Sequence, residues 1–151
     1  MQTAEYRVAI QTFLITSKIV ESFTIVEEWC QRDRGYIRVR LTLSQGDFVE
    51  SAEYFVLVGQ KCVPERYSHQ WMDANRATLH RRWDNVPHYP GLAHFPHHIH
   101  LPDGQVISGE SMSILDALQK IEMEISQKNE EKCTSSALIH QQGKFQTWGG
   151  N

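Results

Sequence analysis

The run Tyr36-Ile37-Arg38-Val39-Arg40-Leu41-Thr42-Leu43 alternates apolar and polar residues without a break. In an extended chain successive side chains project to opposite faces, so Ile37, Val39, Leu41 and Leu43 share one side while Tyr36, Arg38, Arg40 and Thr42 share the other. This is the signature of a half-buried antiparallel strand. Gln45-Gly46-Asp47 supplies a turn after it, and Arg32-Asp33-Arg34-Gly35 precedes it. Working outward, Phe48 to Val58, Cys62 to Trp71 and Ala77 to Trp83 read as further strands, separated by Gly59-Gln60-Lys61 and by Met72-Asp73-Ala74-Asn75-Arg76. Upstream, Phe23, Ile25 and Trp29 are interleaved with polar residues. The sum is a meander of about five strands, antiparallel throughout because the connections leave no room for crossover helices.

Helices flank this block. Tyr6, Ile10, Phe13 and Leu14 fall on one helical face, with Thr3 as a candidate cap. Ile114, Leu115, Leu118, Ile121 and Ile125 repeat the spacing near the end, where Ser113 and Asp116 have capping-box positions. Each apolar stripe needs a surface to cover, and the Ile37-Val39-Leu41-Leu43 face provides one. The expected fold is therefore α+β: an antiparallel meander sheet of about five strands with an N-terminal and a C-terminal helix packed on one face. The domain is expected to span residues 1–127, and the polar sequence of residues 128–151 reads as a flexible tail.

With 151 residues, of which 40% are hydrophobic, the chain has material for one cored domain. No apolar run is long enough to span a bilayer, and Glu5 and Gln11 interrupt the stretch where a signal peptide needs its apolar centre. Cys30, Cys62 and Cys133 are far apart and form no CxxC pair, which fits a reducing, cytoplasmic setting. A net charge of -3 argues against a general polyanion binder. Gln31 to Arg82 nevertheless carries 9 Lys+Arg against 6 Asp+Glu, a balance of +3, so a locally basic sheet with acidic flanks is compatible with the sequence.

The chemistry concentrates between Arg81 and His100. Arg81-Arg82-Trp83-Asp84-Asn85-Val86-Pro87-His88-Tyr89-Pro90 is followed by His94-Phe95-Pro96-His97-His98-Ile99-His100, so five of the eight histidines fall within thirteen residues. Residues Asp84 to Gly109 show no sustained period and read as an irregular surface segment, the kind of segment that often carries function. Imidazole works as acid, base or ligand near neutral pH, and arginine offers a planar fork of donors suited to phosphate. Three readings stay open. One is metal-free acid/base chemistry using Arg82, Asp84, His88, His97 and His98 as catalytic groups. Another is a divalent metal held by His97, His98, His100 and Asp84, with His98 and His100 sharing a strand face. The third is a loop whose histidines bond to backbone and whose prolines fix its path. Under the first reading no cofactor is expected, and Arg82, Asp84, His88, His97 and His98 should converge in one cleft. His97 and His98 are read as exposed, so their loss should leave stability nearly unchanged.

A second constellation lies in the sheet. Glu53 sits mid-strand as a further catalytic candidate, with a solvent-facing position or pairing to Arg66 or Arg82 as the alternative. Tyr67, His69 and Trp71 project to a common face of the next strand. Tyr67 and His69, with Arg81 and His100, are the candidate substrate-binding residues.

The strings Ser51-Ala52-Glu53-Tyr54, Arg66-Tyr67-Ser68-His69-Gln70-Trp71, Arg81-Arg82-Trp83-Asp84-Asn85 through Pro87-His88, and Phe95-Pro96-His97-His98-Ile99-His100 resemble the TumE-type toxins of bacterial toxin–antitoxin modules. The resemblance runs from the first helix to about Ile125 and is most specific in the RxDNxPH and FPHHxH strings. Members typically carry a second histidine where this chain has Tyr89, and often a tyrosine where it has His69, which implies that neither position is essential to a shared mechanism. The resemblance implies a toxin encoded with a small DNA-binding antitoxin that neutralises it. By analogy with other compact toxins, a ribonuclease-like activity on RNA is one expectation. The other is a non-catalytic toxin whose His/aromatic loop, with Trp83, Tyr89 and Phe95 beside prolines, occupies a partner protein. A membrane partner is not expected.

Overall fold

The structure, a computed structural model, describes residues 2–144. It opens with helix α1 (Thr3–Thr16) and continues through strands β1 (Val20–Cys30), β2 (Arg34–Leu43), β3 (Phe48–Val58), β4 (Lys61–Met72), β5 (Leu79–Asp84), β6 (His98–His100) and β7 (Val106–Ser108) before helix α2 (Ile114–Lys144). All strands join one sheet in sequence order, each antiparallel to the next. The class is α+β, as the alternation and the helical stripes predict, but the sheet has seven strands and not about five. The two additional strands lie in the segment expected to be irregular. Each is only three residues long, too short to establish a period of its own; β6 forms on the edge that β5 offers, and β7 on the edge that β6 then offers, because those backbone groups need partners.

The chain divides into two compact units, one ending at Ala117 and the other beginning at Leu118. The first contains α1, the whole sheet and the first turn of α2. Ile37, Val39, Leu41 and Leu43 are almost wholly buried in it. α1 lies on their side of the sheet: the Tyr6 ring meets Phe55 edge-on at 4.7 Å, and its hydroxyl donates to Glu53, the direct partner of Ile37 across the ladder. Thr3 opens α1 but does not cap it. Its hydroxyl donates to the Gln31 carbonyl, while Glu5 accepts the Gln2 N–H at the helix start. At the other helix the expected capping box forms, Ser113 Oγ accepting the Asp116 N–H at 3.1 Å and Asp116 accepting the Ser113 N–H at 3.3 Å.

The second unit is helical from Leu118 onward. Among its described residues, Leu118, Ile121 and Ile125 are the buried side chains. The helix does not end at Gln127. The polar residues from Lys128 continue it to Lys144, and residues 145–151 of the expected tail lie outside the described residues. No helix among the described residues is long and apolar enough to cross a membrane.

One glycine is fixed by packing. Gly35 pairs with Phe55 across the β2–β3 ladder, and a Cβ on it would lie 2.3 Å from the Phe55 Cζ and 3.0 Å from the Trp29 carbonyl oxygen. Phe55 is buried and cannot swing aside freely. Gly35→Ala is therefore expected to cost about 1–3 kcal/mol through overpacking, measured as a lower urea midpoint. An unchanged midpoint would show that the ring repacks without strain.

Candidate functional site on the open face of the sheet

The strict alternation of the strands sorts every candidate residue onto one of two faces. Trp83 in β5 is buried on the helix side, so its neighbours Arg82 and Asp84 point to the opposite, open side. In β6 the residues paired with them are His100 and His98, which therefore join them there. The result is a tight cluster. Asp84 Oδ1 lies 2.8 Å from His98 Nε2, and Asp84 Oδ2 lies 3.2 Å from His100 Nε2 and 3.0 Å from Arg82 Nε. Arg82 Nη2 is 3.0 Å from His100 Nε2, and the two imidazole Nε2 atoms are 3.1 Å apart.

Donor and acceptor roles follow from these partners. His100 Nε2 lies between a donor, Arg82 Nη2, and an acceptor, Asp84 Oδ2 at 3.2 Å: accepting from the guanidinium puts the ring proton on Nδ1, and donating to the carboxylate puts it on Nε2. His98 Nδ1 faces the Pro96 carbonyl at 2.9 Å and must donate to it. Its other nitrogen faces Asp84 Oδ1 and His100 Nε2. Burial, followed by the neighbouring Arg82 charge, holds the His100 pKa below the usual histidine range, so its ring is neutral at pH 7. The Val86 N–H donates to Asp84 Oδ1 at 3.1 Å, fixing the carboxylate. Tyr89 covers the cluster, its ring centroid 4.8 Å from that of His98 and 5.9 Å from that of His100. His98 is buried, while Arg82 and the His100 edge keep partial access to solvent.

Other expected members lie elsewhere. His97, adjacent to His98 in sequence, turns the other way, its Nδ1 2.8 Å from the Tyr67 hydroxyl, which donates in turn to the Glu110 carbonyl. Burial lowers the His97 pKa. His88 is exposed, its ring meeting that of Tyr89 edge-on at 6.5 Å and outside the cluster. Arg81 shares the side of Trp83 and lies 5.6 Å over its ring. The five-residue convergence expected from sequence thus holds for Arg82, Asp84 and His98, with His100 completing the group, and not for His88 or His97. The expectation that His98 is an exposed loop residue is also corrected: it is buried in a strand with both nitrogens engaged.

Glu53, Tyr67 and His69 belong to the helix side. Glu53 neither faces solvent nor pairs with Arg66 or Arg82. It is fully buried and accepts the Tyr6 hydroxyl and the Ile114 N–H, each at 2.5 Å. Burial raises its pKa to about 7, outweighing these two donors. His69 is equally buried, accepting from the Ser51 hydroxyl at Nδ1 and donating from Nε2 to the Met112 carbonyl at 2.9 Å. Burial lowers its pKa to about 4. Burial likewise pushes the Tyr67 phenol upward.

The family model for toxin TumE matches residues 10–129, most of the chain. The chain belongs to the toxin TumE family. Neither the curated proteins nor the solved structures include a match to it. TumE membership makes the chain a toxin by family, and a toxin implies an antitoxin partner. The match includes the whole of β5 and β6, hence every member of the Asp84 cluster. Sequence reasoning underused one signal here. In any strand Arg81 and Arg82, or His97 and His98, must face apart, whereas Arg82 with Asp84 and His98 with His100 must face together.

Proposed function

We propose that the chain is the toxin of a bacterial toxin–antitoxin module, neutralised in the cytoplasm by a small DNA-binding antitoxin, and that it cleaves RNA with the groups gathered around Asp84. The observation that supports this reading is the juxtaposition of Arg82, His98 and His100 on one carboxylate. Phosphodiester cleavage needs a base, an acid and a cation within reach of one phosphate. In this reading the neutral His100 Nε2, once Arg82 turns to substrate, takes the proton from an RNA 2′-hydroxyl. That oxygen attacks the adjacent phosphorus, and the Arg82 guanidinium stabilises the phosphorane. The 5′-oxygen leaves with a proton drawn from the His98–His100 pair, giving a 2′,3′-cyclic phosphate and a 5′-hydroxyl. Asp84 positions the His98 ring and the Arg82 guanidinium and needs no proton of its own.

A second reading is favoured by the same nitrogens. Asp84, His98 and His100 each turn one ligand atom to a common point, all within 4.8 Å of one another. The Pro96 carbonyl on His98 Nδ1 is the kind of outer partner that orients a metal-bound imidazole. A divalent cation held there would stand where the His98 proton stands in the first reading, and it would polarise a phosphoryl oxygen.

Controlled expression without the antitoxin tests the main reading. Growth should stop, fragments ending in 2′,3′-cyclic phosphate should accumulate, and the neighbouring antitoxin gene should restore growth. Arrest with intact RNA would leave the toxin but remove the nuclease, in favour of a protein that acts by occupying a partner.

A further inference from the structure

Beside the Asp84 cluster, on the same open face, lies a cavity of about 540 Å³ with Tyr36, Tyr54, Arg66, Ser68, Asn85 and Pro87 among its walls. The sheet register ties the two together. Ser68 is the direct cross-strand partner of Asp84, and Ser68 in turn pairs with Ala52 at the cavity floor. Neighbouring strands stand about 5 Å apart, so a group in the cavity and a phosphate on Arg82 would be adjacent parts of one ligand.

The walls have a definite chemistry. Trp29 stacks on Tyr36 with ring centroids 6.5 Å apart and meets Tyr54 edge-on at 6.0 Å, forming an aromatic floor on a sheet face that no helix covers within the first unit. The Arg66 guanidinium lies 5.0 Å over the Tyr54 ring. Arg66 is exposed and makes no ion pair among the described residues, unlike Arg38 and Arg40, which share Glu50 at 2.6 Å and 2.9 Å. Asn85 is a strut rather than a reader. Its Oδ1 accepts the Tyr67 N–H and its Nδ2 donates to the Glu65 carbonyl, which pins the rim to β4. Rigid aromatic faces, an unpaired guanidinium and few free side-chain amides suit a flat π-system attached to an anion, with stacking in place of a specific hydrogen-bond code.

The geometry points to a nucleobase subsite: the Tyr36–Tyr54–Arg66 cavity holds one unpaired base of single-stranded RNA, next to the phosphate handled by Arg82. This rests on the RNA reading of the Asp84 cluster and names the form of its substrate. A base inside a duplex is stacked on its neighbours and cannot enter, so the subsite selects single strands.

The test uses the full chain and a fluorescein-labelled 2′-O-methyl RNA octamer, which has no 2′-hydroxyl and cannot be cleaved by attack from that oxygen. Wild type should bind the single strand more tightly than the same sequence in a duplex. Tyr54→Ala and Arg66→Ala should each weaken binding about tenfold, the scale of one lost stacking contact. Arg66 is exposed, so its variant should unfold at the wild-type midpoint, and Tyr54→Phe should bind like wild type because the ring, not the hydroxyl, carries the contact. Quenching of Trp29 fluorescence by the oligonucleotide should fall with Tyr54→Ala. If Tyr54→Ala and Arg66→Ala bind as wild type while natural RNA is still cut and His100→Ala abolishes the cutting, the subsite is wrong and the cleavage reading stands. Preference for the duplex also overturns the subsite. Absence of both binding and cleavage by wild type removes the two together.

Discussion

His100→Ala is expected to lower RNA cleavage about 10²- to 10⁴-fold, the range for losing a positioned general base, and to relieve growth arrest accordingly. The side chain is about one-sixth exposed and touches Arg82, Asp84 and His98, so the unfolding midpoint should fall as well, by less than for the more deeply buried His98. Arg82→Lys should also impair cleavage. Lysine keeps the charge but cannot send one nitrogen to Asp84 Oδ2 and another to His100 Nε2, as the guanidinium does at 3.0 Å in each case. His98→Ala is expected to lose activity and stability together, because His98 is buried with both nitrogens engaged. Single-turnover cleavage and thermal unfolding of the same preparations separate these cases. Cleavage should decline on acidification only below the usual histidine range, since the His100 pKa is lowered. Chelation divides the two chemical readings: indifference supports acid/base catalysis, and loss restored by added divalent metal supports ligation by Asp84, His98 and His100. Full toxicity in folded His100→Ala and Arg82→Lys proteins would end both.

Two buried groups on the helix side should give the stability curve opposing slopes. Glu53 has its pKa raised from 4.5 to about 7, so between those values the folded protein holds a proton that the unfolded chain has released. Its contribution therefore falls as pH rises through that window. His69 has its pKa lowered from 6.5 to about 4, so there the unfolded chain holds the extra proton and stability rises with pH. Each slope reaches about 1.4 kcal/mol per pH unit, and the two nearly cancel from pH 4.5 to 6.5. Wild type should be almost flat there with respect to this pair. Glu53→Gln keeps an acceptor for the Ile114 N–H and an amide donor for the Tyr6 oxygen, and should expose the rising His69 slope. His69→Gln keeps partners for Ser51 and the Met112 carbonyl, and should expose the falling Glu53 slope. Urea unfolding of the three proteins across this range is the measurement. Parallel curves would mean that neither group titrates abnormally.

These two groups show the limit of pattern reading. A carboxylate mid-strand in Ser51-Ala52-Glu53-Tyr54 looks like a surface or catalytic acid, and local sequence holds no sign that Tyr6 and Ile114, from distant elements, will bond to it.

The sequence by itself determined the class of fold, because strict alternation from Tyr36 to Leu43 and the helical stripes around Ile10 and Leu118 each fix which side must be buried. It also determined the neighbourhood of the candidate site, since five of the eight histidines, two adjacent arginines and Asp84 crowd between Arg81 and His100. Tertiary structure alone decided which of them meet. β6 and β7 are three residues each and exist through pairing with an edge rather than through any period of their own. Once His98 pairs with Asp84 and His100 with Arg82, the pleat sends these four side chains to the open face and leaves His97 and Arg81 on the other. Strand register is a long-range property, and a shift of one residue exchanges the two faces.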